Sequence, residues 1–101
     1  TNVIQLKDNI ISEITIDPKE LNISANKFEN LLGDDPKFNA NKIINIFKGE
    51  DNDFSKAVCL NAAAGFIVAE RHSEFKNAYE DIRKHILTGK TFEHLKKIQN
   101  V

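Results

Sequence analysis

Three histidines, one cysteine and a pair of aspartates are the side chains here whose types could do chemistry. His72, His85 and His94 stand thirteen and nine residues apart. Two metal ligands on one helix face need a spacing of three or four, so no two of them make a pair. Each reads as an exposed or capping residue on a helix. Cys59 has no second cysteine to bridge to and lies in the most apolar run of the chain. It reads as a small core residue rather than a reactive thiol. Asp34-Asp35 could suggest a metal pair, but both stand directly before Pro36. There an aspartate accepting from free backbone amides starts a helix, and proline fits the first helical position. The lysines between Lys90 and Lys97 read as a solvated helix face before a nucleic-acid patch. No nucleophile elbow, phosphate-cradling glycine loop or paired-cysteine motif is present. Catalytic residues: none; substrate-binding residues: none; metal ligands: none.

The element on which the rest must be organised is Ala57–Ala69, AVCLNAAAGFIVA. It contains no charge and no proline, and Asn61 is its one strongly polar side chain. A helix apolar on every side has no solvent face and must be surrounded. Thirteen residues are too few for a membrane span, which needs about 20. The run therefore predicts a central buried helix from about 54 to 70. Asn61 reads as a buried amide satisfied by nearby backbone; a ligand contact would need a second polar group at helical spacing, and none is there. Gly65, beside Ala62–Ala64, offers a smooth flank to a neighbouring backbone.

Around it the pattern predicts an α+β, mainly helical segment: a β-hairpin followed by about four α-helices. The hairpin covers 2–16, with Asp8-Asn9 at a tight turn where both residue types tolerate positive φ. Ile4, Leu6, Ile14 and Ile16 alternate with polar neighbours and predict one buried face. Asp17-Pro18 ends the second strand. A connector follows over 17–33, pinned by Leu21, Ile23, Phe28, Leu31 and Leu32, with a helical turn at Lys27–Leu32. Helices are expected at about 35–48, 54–70, 74–88 and 91–99. Ala40, Ile43, Ile44 and Phe47 stripe the first, which Gly49 stops; Asn52 or Asp53 caps the second. Ser73 caps the third, with Phe75, Ala78, Tyr79, Ile82 and Ile86 on one face. Thr91 caps the fourth, which carries Phe92, Leu95 and Ile98.

The 101 residues, 41% hydrophobic and 29% charged with a formal net charge of -1, describe a single ordinary globular domain. That balance gives no electrostatic footprint for nucleic acid or an anionic membrane. One cysteine fits a cytoplasmic location. A chain this small has only a modest core, so a fully enclosed helix implies a larger surrounding domain.

Two stretches carry a family likeness. Leu32-Gly33-Asp34-Asp35-Pro36-Lys37-Phe38-Asn39-Ala40 running on to Ile43-Ile44 and Gly49 is one. Leu60-Asn61-Ala62-Ala63-Ala64 continued by Val68-Ala69 is the other. With Val3–Asn9, Thr15–Pro18 and the ending from Gly89-Lys90 to a Leu95-bearing helix, the ordered series resembles the C-terminal segment of the anthranilate phosphoribosyltransferase family. That family is part of the glycosyltransferase and nucleoside phosphorylase-like group, and the resemblance covers essentially the whole chain. Asn9 and Asp34 stand where the family usually has glycine, and both still suit a turn or cap.

The resemblance implies an α/β parent enzyme, more than three times this length, in which the segment supports the active site. Such an enzyme transfers phosphoribose from phosphoribosyl pyrophosphate to anthranilate with Mg2+. Its phosphate loop, acceptor-contacting residues and acidic magnesium pair would all precede Thr1, so none is carried onto this chain. No cofactor is expected on the segment, and the 101 residues alone are expected to be inactive. The implied partners are the parent's own α/β and N-terminal helical domains, with self-association of the isolated segment. Two other readings are a segment of a related phosphorylase-fold enzyme with another acceptor, and a stand-alone helical interaction module.

Overall fold

The structure, a computed structural model, describes residues 1–21, 23 and 31–100. It is a two-stranded antiparallel hairpin followed by four helices. Strand β1 is Asn2–Lys7 and β2 is Ile10–Thr15; a short 3-10 turn at Pro18–Leu21 follows. The helices are α1 (Pro36–Phe47), α2 (Asp53–Val68), α3 (Phe75–Leu87) and α4 (Lys90–Gln99). The helical turn expected at Lys27–Leu32 and the Phe28 anchor fall largely outside the described residues. Leu21 is buried and Ile23 packs on the core, as the connector's anchors should.

The hairpin turns where the sequence requires it, with Asp8 and Asn9 at φ 52° and 62°. Both central residues positive is the condition for a two-residue turn that follows the strand twist. That turn pairs Lys7 with Ile10, and Val3 then falls opposite Ile14 and Ile4 opposite Glu13. The expected single buried face is therefore wrong. Residues opposite one another share a face, so Ile14 and Ile16 join Val3 while Ile4 and Leu6 join Ile11 on the other side. Ile4, Leu6 and Ile11 are 71–77% exposed. The hairpin has an apolar residue set on each face, and this chain covers only part of one.

The core lies where α2 crosses α3. Cys59 and Ala63 meet the region of Ala78, Tyr79, Ile82 and Ile86, closed from outside by Ile46 of α1 and by Leu21. Small residues at the helix contact let the axes approach, and Tyr79 fills the remaining space at 1% exposure. The α3 face is as the spacing predicts. The α1 stripe is rotated: Ile46 is the buried residue, whereas Ala40 and Ile43 face outward. Packing against α3 and α4 selects the face that carries Ile46, overriding the i, i+3, i+4 reading.

The helix ends show which local signals control them. Asp35 accepts from the Phe38 N–H at 2.7 Å with Pro36 behind it, and Asn39 brackets Asp34 through both its amide groups. Asn52 forms a reciprocal capping box with Ser55, its side chain accepting the Ser55 N–H at 2.8 Å. Gly49 takes φ 109° after α1, where a Cβ would stand only 3.1 Å from the Leu87 carbonyl oxygen. Ser73 does not cap α3; Glu74 stands at that position with no side-chain bond. Thr91 lies inside α4, because Gly89 at φ 79° closes α3 and opens α4 without a connecting loop. α2 ends at Val68, two residues early, with Glu70 in the left-handed region and the Arg71 N–H returning to Phe66.

Ile46→Ala should cost about 3 kcal/mol of unfolding free energy, the usual loss for a buried aliphatic truncation. Ile43→Ala, on the exposed side of the same helix, should cost less than about 1 kcal/mol. Urea denaturation of the two variants measures both, and equal losses would contradict the rotated face.

Candidate functional site

The histidines are not brought together. His72 lies in the α2–α3 connection rather than on a helix, stacked on Phe66 with ring centroids 6.0 Å apart. Its Nε2 is 3.2 Å from Asp81 Oδ2. His85 and His94 are exposed on α3 and α4. Among the described residues, no three His, Cys, Asp or Glu side chains converge on a point that could hold a metal.

One polar cluster does sit against the core. Arg83 of α3 donates through Nη2 to Asp51 Oδ2 at 2.6 Å, tying the α1–α2 link to α3. That bond is the main reason the guanidinium is held above its ordinary range. Behind it burial pushes up both the Cys59 thiol and the Tyr79 phenol, with the Arg83 charge opposing the shift in each case. A thiol that is protonated and 2% exposed is no nucleophile. The cluster fastens the α1–α2 link to α3.

The open surface lies elsewhere. Within these 101 residues α2 is enclosed on one side only. Only Ser55, Cys59 and Ala63 are buried along it. Asn61, Ala62, Ala64, Gly65 and Phe66 are exposed, and Val68 is 84% exposed. A Cβ on Gly65 would meet nothing within 4 Å, so no backbone among the described residues uses the smooth flank. Between this helix and the inner face of the hairpin runs an open groove of about 430 Å³. Its walls are Val3, Ile14 and Ile16 on one side and Leu60, Ala64 and Ile67 on the other. A second apolar depression, beside Leu31, Phe54 and Val58, opens on the neighbouring side of α2. A third, polar one mixes Lys7 and Arg71 with Glu70 at the C-terminal end of α2. The helix dipole there disfavours an anion, and the opposed charges select no ligand.

Asn61 is likewise exposed rather than buried. Its Nδ2 donates to the Ala57 carbonyl at 2.9 Å, so the expected backbone partner is correct and the expected burial is not. The sequence does carry a signal for this surface: a helix hydrophobic all round. Such a pattern fits burial within the chain and burial by something else equally well.

These features together describe a hairpin and four helices with an open apolar face along α2. The chain belongs to a glycosyl transferase family, its residues 1–92 matching that family's a/b domain. It is 71% identical to the anthranilate phosphoribosyltransferase of Pelagibacter ubique strain HTCC1062 across the whole chain, which covers 31% of that relative. It is 34% identical over 98 residues to the enzyme of the same name from Methanococcoides burtonii, covering 28% of it. The Priestia megaterium counterpart is 29% identical over 101 residues, with 30% of its length covered. The chain thus spans less than a third of the length of these curated relatives. No solved structure matches it.

Cys59 should resist alkylation by iodoacetamide at pH 8 in the folded chain and react within minutes in strong denaturant. Rapid labelling of the folded chain, followed by mass spectrometry, would contradict the burial described.

Proposed function

We propose that this chain is the C-terminal supporting part of an anthranilate phosphoribosyltransferase. The parent enzyme transfers phosphoribose from phosphoribosyl pyrophosphate to the amine of anthranilate, a step of cytoplasmic tryptophan biosynthesis. The observation that carries this reading is the 71% identity to one such enzyme along the entire chain. Catalysis of this kind rests on positioning and on stabilising the departing pyrophosphate. The residues that do this, and those that hold Mg2+, lie outside these 101 residues on this reading.

The chain's own contribution is mechanical. α2, α3 and the Asp51–Arg83 bond form a rigid block, and the apolar groove and outer hairpin face seat the remainder of the parent's α/β domain. The hairpin's free edges and its exposed Ile4, Leu6 and Ile11 would extend a larger sheet. In the parent these surfaces are covered; in the isolated chain they meet water.

The chain alone, given anthranilate, phosphoribosyl pyrophosphate and magnesium, should show no loss of anthranilate fluorescence, whereas the parent enzyme containing it should. Measurable turnover by the 101 residues would place catalytic groups within them. The isolated chain should also self-associate as its concentration rises, because exposed apolar patches and free strand edges pair with copies of themselves. Sedimentation that gives only monomer into the millimolar range would contradict this.

A further inference from the structure

We propose that Asn61 fixes where the rest of the parent enzyme docks on α2, by accepting one hydrogen bond through Oδ1 from the segment that covers the helix. This rests on the proposed supporting function and names the residue that sets the register of that interface. Asn61 is the one polar side chain common to both apolar depressions flanking α2. Around it stand Ala57, Leu60 and Ala64, with Val68 two turns further on. Its Nδ2 is committed to the Ala57 carbonyl at 2.9 Å, which ties the amide to its own helix. Among the described residues nothing donates to Oδ1. The acceptor is therefore held in a defined place on an apolar surface and is left for an outside donor.

Covering that surface without a donor would strand a carbonyl away from water, and a stranded acceptor costs its full desolvation. An apolar segment carrying one N–H or O–H at the right point avoids that loss. Sliding it along the helix by a turn would leave both groups unpaired. The apolar walls supply adhesion with little directional preference, and Asn61 supplies the position. The occupant is the portion of the parent outside these 101 residues, since the relative 71% identical to this chain is covered over only 31% of its length. It should present apolar side chains on either side of a single donor.

The test is a structure of the intact parent enzyme together with the thermal unfolding of its Asn61→Leu and Val68→Ser variants. The expected structure has a donor nitrogen or oxygen about 2.7–3.2 Å from Asn61 Oδ1, contributed from outside residues 1–101. Asn61→Leu should lower the Tm of the intact enzyme by about 2–4 °C or more, since the outside donor then loses its acceptor. A covered α2 whose Asn61 Oδ1 faces only carbon, with Asn61→Leu leaving Tm unchanged while Val68→Ser lowers it, would overturn the role of Asn61 and leave the supporting function standing. An α2 still open to solvent in the intact enzyme, with both variants neutral, would overturn the supporting function itself. A donor supplied by a second copy of the chain would also overturn the proposal.

Discussion

Everything in this chain turns on a helix that is apolar on all sides but covered on only one. α2 presents Cys59 and Ala63 to α3, and against these Ala78 and Tyr79 make the tightest part of the core. The opposite side, from Asn61 to Val68, is as apolar in composition and stands open. Leaving that much hydrophobic surface in water forfeits about 25 cal/mol for every Å² that could be buried. A folded unit with this surface is physically incomplete in a way that its core is not. The hairpin repeats the pattern: one apolar set leans toward α2 and the other faces outward.

The chain's stiff features sit on the covered side. The Asp51–Arg83 bond joins the α1–α2 link to α3, and Gly49 lets that link pass close to the Leu87 carbonyl. Lys48 lies over the Phe92 ring at 4.9 Å, holding the end of α1 to α4, and Lys96 of α4 flanks the same ring at 4.9 Å. The reverse side carries grooves, free strand edges and a single positioned amide. A rigid block with one open apolar face is what the proposed supporting role needs.

Much of this is legible in the sequence, and the limits of the rest are physical. Local signals read correctly where one short-range interaction decides: Asp8-Asn9 in the turn, Asp35-Pro36 at the start of α1, Asn52 at α2, and Gly49 and Gly89 at helix ends. They fail where tertiary context decides. Ser73 and Thr91 are good caps that the chain path does not use. The α1 stripe points to Ile43 where packing chooses Ile46, and alternation in the strands cannot give the register that places Ile4 and Ile14 on opposite faces. The expected burial of α2 is met on one side only within these 101 residues. Composition says how apolar a helix is, but not which molecule, or which part of one, removes it from water. The wide spacing of His72, His85 and His94 is legible directly, and the fold leaves the three apart.

On the proposed function, the open side of α2 is covered in the parent enzyme. Hydroxyl-radical footprinting read by mass spectrometry addresses it at Phe66 and Val68, which are 41% and 84% exposed in the chain by itself. Both residues should be oxidised readily in the isolated 101 residues and be strongly protected in the intact enzyme. Equal oxidation in the two would mean that the face stays in water, and the chain could not be a supporting segment that docks through it.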